Sequence, residues 1–174
     1  LRLLDKYAAA EGSRPERIIP DEPEEVANEV HEEKMKIARP KVCIGFKETH
    51  RVGGRLLLRR NIITEIALDL IIGPGSDLYN SLYEKELLDD SFSAYHLGHL
   101  EFGFTVLGGD TDHPDLLVEA IEEGISQVMQ AKIPEVEVQR IKDKIYGKIV
   151  RLLDNLEQRC LLTIRALSDG YDVD

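Results

Sequence analysis

The chain has 174 residues, 43% of them apolar, and a formal net charge of −11. That length fits one domain or two small ones, and that apolar fraction argues against global disorder. The acidic balance argues against non-specific nucleic-acid binding, which needs a basic footprint, and the longest apolar runs are far too short to span a bilayer.

The start, Leu1-Arg2-Leu3-Leu4-Asp5-Lys6, has no initiator Met and no signal-peptide pattern, and reads like the middle of a longer protein. Leu3, Leu4 and Tyr7 at helical spacing predict a short helix over 1–11. Gly12, Pro15, Pro20, Pro23 and a run of acids then predict a connecting arm over 12–26. Residues 27–174 read as a single domain. Its first part, 27–48, predicts two strands with a turn at Arg39-Pro40. In the second of them Val42, Ile44 and Phe46 alternate with Cys43, Gly45 and Lys47, so one face is apolar. Residues 49–56, with Gly53-Gly54, predict a loop.

From Leu57 to Ile72 the pattern is helical, with Ile62, Ile66 and Leu70 four apart and Ile63, Ala67 and Ile71 beside them. Gly73-Pro74-Gly75 ends that helix, and Ser76 caps a short second one carrying Leu78, Tyr79 and Leu82. If Gly73 and Gly75 adopt positive φ, they are needed for the turn. Two strands follow, roughly 91–98 and 101–109, joined near Leu97-Gly98-His99. Phe102, Phe104 and Val106 point one way, and Glu101, Gly103 and Thr105 the other. Pro114 opens a helix striped by Leu117, Ile121, Ile125 and Val128. After Ile133-Pro134, one long helix is predicted from 135 to about 167, through Val138, Ile141, Ile145, Ile149, Leu152 and Leu156. The order β-β-α-α-β-β-α-α implies an α+β fold, a mostly antiparallel sheet with helices packed on one face.

Candidate chemistry is sparse. His96 and His99 form an H-x-x-H at a strand end and turn, where the two rings do not share a helix face and no Glu stands between them. Structural or surface roles suit these and His31, His50 and His113 better than a metal site. Asp110, Asp112, His113 and Asp115 lack the central Gly and bidentate Glu of a calcium loop, and Asp112 is expected to cap the helix opened by Pro114. Gly73-Pro74-Gly75-Ser76 follows a helix and has no Lys, unlike a phosphate loop. The rival for that turn is an anion site on the backbone N–H groups of Ser76 and Asp77. No Ser sits in G-x-S-x-G. Cys43 and Cys160 lie in apolar contexts and are expected to be buried reduced thiols, which fits a cytoplasmic protein.

Ile66-Ala67-Leu68-Asp69-Leu70, the stretch from Gly73 to Phe92, Phe102 to Asp115 and Leu152-Leu153-Asp154-Asn155-Leu156-Glu157 resemble the C-terminal, non-zinc domain of the pitrilysin/insulinase-like (inverzincin) metallopeptidases. The bacterial predicted zinc-dependent proteases of that family are the nearest. The resemblance implies a non-catalytic domain that helps wall a chamber holding an unfolded peptide. No H-x-x-E-H occurs in this chain, so no metal or catalytic residue carries over, and zinc is expected in the parent's catalytic domain. The implied partners are that catalytic domain or a second family subunit, a peptide substrate, and a second copy of the chain. Some members reach toward substrate with an Arg and a later Tyr. The corresponding frame here is Leu82-Tyr83-Glu84 with Asp90 near the later position, so Tyr83 and Asp90 are the marked contact positions, although neither matches the family's residue type. The alternative is an interaction or assembly domain of a catalytically inactive member. An H-x-x-E-H upstream in the parent separates the two.

Overall fold

The computed structural model describes residues 23–171, so the helix expected over 1–11 and most of the arm lie outside them. The elements are β1 (Lys41–Lys47), α1 (Gly54–Ile72), α2 (Asp77–Glu84), β2 (Ser93–Gly98), β3 (Gly103–Asp110), α3 (Pro114–Gln130), α4 (Glu135–Leu153) and α5 (Leu156–Asp169). The strands form one antiparallel sheet in the order β1-β3-β2. The α+β class holds, with departures in detail. The first of the two strands expected over 27–48 does not form. Residues 23–38 are exposed throughout and pair with no strand, which leaves Val26, Val30 and Met35 without the apolar neighbours that stabilise a strand.

Cross-strand register decides which side chains meet. Ile44, Leu107 and Ala94 form one row across the sheet, and Val42 stands beside it, opposite Gly109. These residues face the helices. Leu107 packs in a buried cluster with Ile72 of α1, Leu82 of α2, Leu87 and Leu88 of the loop that follows, and Leu117 and Ile121 of α3. Each such side chain contributes about 1.5–3 kcal/mol by leaving water. In α3 the apolar stripe meets α2 so closely that a Cβ at Gly124 would touch the Leu78 side chain.

Helix α1 begins at Gly54, three residues before the apolar pattern starts, with Gly54 itself at φ 61°. It packs against both β2 and α4, with Leu57 and Ile72 buried. Ile141 and Ile145 of α4 are buried. Two ion pairs, Lys144 to Asp69 at 2.7 and 2.9 Å and Lys148 to Glu65 at 2.7 Å, fix α4 in orientation against α1.

The single long helix expected over 135 to about 167 is two helices. Asn155 breaks it: its side-chain oxygen accepts from Gln158 N at 3.0 Å and so caps α5. The spacing of Asn155 and Gln158, a cap residue followed three later by Gln, is the signal that the apolar stripe concealed. Both thiols, expected to be buried, are exposed. Cys43 lies on the sheet face turned away from the helices, and Cys160 on the outer side of α5.

The turn after α1 corrects another expectation. Neither Gly73 nor Gly75 has positive φ. Gly73 is required for space, because a Cβ there would collide with the backbone carbonyl and carboxylate of Asp69. A Cβ at Gly75 would meet only the Arg140 guanidinium, at 3.6 Å. Gly73→Ala should therefore cost about 1–3 kcal/mol, and Gly75→Ala should stay within about 0.5 kcal/mol of the parent. Urea denaturation of the two variants checks this, and equal losses would refute it.

Candidate functional site

Among the described residues the sheet's second face carries no helix. Alternation along the strands turns Tyr95 and Leu97 of β2, Phe104 and Val106 of β3, and Cys43, Gly45 and Lys47 of β1 onto it. Its aromatic rings form a ladder. Tyr95 meets Phe104 edge to face at 6.4 Å, Phe104 stacks on Phe102 at 6.2 Å, and Phe102 meets His99 at 5.2 Å. Tyr95 is 51% exposed and Phe102 43%. Beside this ridge the face is low, with Gly45, Gly108, Ser93 and Cys43. At its Phe102 end lies a groove of about 370 Å³ lined by Lys47, Glu48, Thr49, Glu101, Phe102 and Gly103, among others. The sequence showed Phe102, Phe104 and Val106 on one side. Tyr95 and His99 joined them only through the strand register.

The hairpin that carries the ladder is anchored on the helix side by polar groups. Asn61 of α1 donates to Gly98 O at 3.2 Å, which fixes its side-chain oxygen as the acceptor for His96 Nε2, also 3.2 Å away. His96 Nε2 therefore carries the proton, and Nδ1, 3.0 Å from Thr105 Oγ1, accepts from that hydroxyl. Burial holds the His96 pKa below its ordinary value, the Arg60 and Arg165 charges push the same way, and Glu48 opposes them. Three positions on, His99 Nδ1 meets the buried Asp169 Oδ1 at 3.0 Å, and Arg165 reaches both Asp169 Oδ2, at 3.6 Å, and Gly98 O, at 3.4 Å. The end of β1 is held similarly, since Arg60 pairs with Glu48 at 2.9 Å and donates to the His50 carbonyl.

Both histidines of the H-x-x-H are thus bonded to protein groups. Among the described residues no cluster of three or more His, Cys, Asp or Glu side chains is placed to hold a metal ion. The described residues do not fit a resident zinc.

Residues 2–145 match the family described as the peptidase M16 inactive domain. The chain is 31% identical over 137 residues to YmfH of Bacillus subtilis (strain 168), which is named as an uncharacterized zinc protease; the match covers 78% of this chain and 32% of YmfH. It is also similar to the crystal structure of an M16-like peptidase from Alicyclobacillus acidocaldarius, with a TM-score of 0.78 and 31% identity over 90% of this chain and 38% of that one. This chain belongs to the M16 peptidase family. It corresponds to the inactive domain, and it spans about a third of the length of these relatives.

The two positions marked by the family resemblance lie away from the ladder in sequence. Tyr83 sits at the end of α2, 51% exposed, its ring stacked on Tyr79 at 6.3 Å. Asp90 is exposed in the loop that follows. The acidic cluster of this M16 domain is an ion-pair network. Arg39 binds Asp112 with two nitrogens, at 3.2 and 3.1 Å, and Asp89 at 2.6 Å, while Lys41 pairs with Asp110. Asp112 therefore does not cap α3. His113 occupies the cap position, and no side chain caps that end. Hydrogen bonds from the Ser91 hydroxyl and backbone N–H, then from Arg39, pull the Asp89 pKa down to about 2. Ser76 does cap α2, accepting from Tyr79 N at 3.1 Å.

The depressed His96 pKa has a sign that can be checked. The unfolded chain binds this proton more readily than the folded one, so stability from this group is complete above pH 6.5 and falls as pH drops below it, down to the folded pKa. Replacing His96 by Gln should flatten the stability profile in that window, read by chemical denaturation at closely spaced pH. An unchanged profile would refute the assignment.

Proposed function

We propose that this domain is a non-catalytic wall of the substrate chamber of a larger M16 zinc peptidase, and that it holds unfolded peptide while the chemistry occurs elsewhere in the parent. The observation that carries this reading is the bare aromatic sheet face. An antiparallel sheet packed on one side is ordinarily polar on the other, whereas this one presents Tyr95, Phe102 and Phe104. Apolar surface of that kind marks contact with another molecule. In this reading residues 27–174 act as one unit. The partner is the H-x-x-E-H domain of the same parent or of a second subunit, and the zinc belongs there. Tyr83 and Asp90 form a second contact region for the peptide. Two exposed unpaired thiols suit a cytoplasmic setting, and no helix among the described residues is long and apolar enough to cross a membrane.

One observation favours a second reading, an assembly domain of an inactive member. The outer side of α4 and α5 exposes Tyr146 at 70%, Leu156 at 74%, Ile164 at 63% and Leu167 at 68%. Reconstitution separates the two. The chain alone should retain unfolded casein peptides without cleaving them, and chelator-sensitive cleavage should appear only when the rest of the parent is added. Cleavage by the chain alone would overturn both readings. Assembly with the rest of the parent but no cleavage would select the second.

A further inference from the structure

We infer that the groove at the Phe102 end of the sheet is a seat for an acidic chain segment, and that its resident occupant is this chain's own arm at Pro23-Glu24-Glu25. Pro23 and Glu24 form part of the groove's lining, and Lys47 Nζ reaches the Glu25 carbonyl at 3.5 Å. Lys47 and Arg51 bring positive charge to the same groove. Of the two acids beside them, Glu48 is paired with Arg60 at 2.9 Å, which leaves Glu101 to offset one of the two cations. The seat is therefore cationic on a chain whose net charge is −11. An acidic segment is attracted here and repelled over most of the remaining surface.

Connectivity does not force the arm into this place. Its other end is held by Arg39, which pairs with Asp89 and Asp112, and by the Pro40 carbonyl, which accepts from Thr111 N at 3.1 Å. Between those anchors residues 26–38 run back from the Lys47 end of β1 to its Lys41 end, exposed and paired with no strand. At about 3.3 Å per residue β1 covers roughly 20 Å, whereas the chain from Glu25 to Arg39 reaches about 46 Å when extended. With that much slack, only local attraction keeps the arm in the seat. Exposed ion pairs are individually weak, so the contact is releasable. The short tether raises the arm's effective concentration to about the millimolar range, which keeps the seat filled against dilute competitors. An acidic segment of another chain enters only by displacing the arm, so the arm closes the groove in cis.

The test uses the full chain, isotopically labelled, and a synthetic peptide with the sequence of residues 20–30, titrated to millimolar concentration while the backbone amide resonances are followed by NMR. Glu24→Lys with Glu25→Lys alters two exposed arm positions and repels the arm from Lys47 and Arg51. In that arm variant the peptide should shift the Lys47, Thr49 and Gly103 amides, with half-saturation at a roughly tenfold lower peptide concentration than in the unaltered chain. Glu119→Lys with Glu122→Lys, exposed on α3, changes the net charge equally and should leave half-saturation where the unaltered chain has it. Adding Lys47→Glu and Arg51→Glu to the arm variant should abolish the shifts, with circular dichroism reporting whether this last variant folds. If it does not fold, the comparison of the unaltered chain with the arm variant decides. Equal half-saturation in those two overturns the arm as occupant. No shift at the groove in the arm variant, or a gain that the α3 variant reproduces, overturns the seat itself.

Discussion

Leu107 is the residue on which the architecture turns. It sits on the central strand, with Ile44 and Ala94 on either side, and is packed against α1, α2 and α3 through one buried cluster. Because a strand alternates its side chains, burying Leu107 on the helix side obliges Val106 and Phe104 to point the other way. The exposed ladder is a consequence of that single choice of register. A shift of one residue would send Phe104 and Val106 into the helices and Leu107 into water, so the face that meets other molecules and the core that stabilises the domain are specified together.

The polar groups on the helix side constrain the same hairpin from beneath. His96 and Thr105 are opposite one another on the core face and are bonded to each other, and Asn61 of α1 holds both the His96 ring and the Gly98 carbonyl. These contacts are partly buried, where leaving a donor or acceptor unsatisfied costs about 1–3 kcal/mol. They fix where the turn His99–Phe102 sits, and with it the end of the ladder.

The parts of this arrangement legible in the sequence follow from local pattern. Val42, Ile44 and Phe46, the stripe Leu117-Ile121-Ile125, the Ser76 cap and the Gly73 stop all appeared where periodicity and capping chemistry placed them. What was not legible depended on tertiary pairing. The strand expected before Arg39 had the composition of a strand but no partner among the described residues. The cap at Asn155 was hidden by an apolar stripe that runs through it. Asp112 looked like a cap because Pro114 follows closely, yet Arg39, far away in sequence, claims its carboxylate. Cys43 was misjudged because alternation gives two faces and does not say which one is covered. The ladder needed the β2–β3 register before Tyr95 could be set beside Phe104.

The clamp at the far end of the hairpin extends the domain beyond the residues that match the family. That match stops at 145, whereas Arg165 and Asp169 lie on α5. Asp169 is 1% exposed, its Oδ1 3.0 Å from His99 Nδ1 and its Oδ2 3.6 Å from the Arg165 guanidinium. A buried carboxylate left without such partners is strongly destabilising. Helix α5 and the hairpin turn are therefore mutually dependent. Undocking α5 would strip the His99 ring of Asp169 and leave Gly98 O with Asn61 as its remaining donor, loosening the turn that carries Phe102. The position of the outer aromatic face at its Phe102 end is thus tied to α5 through His99, which meets both Asp169 and the Phe102 ring.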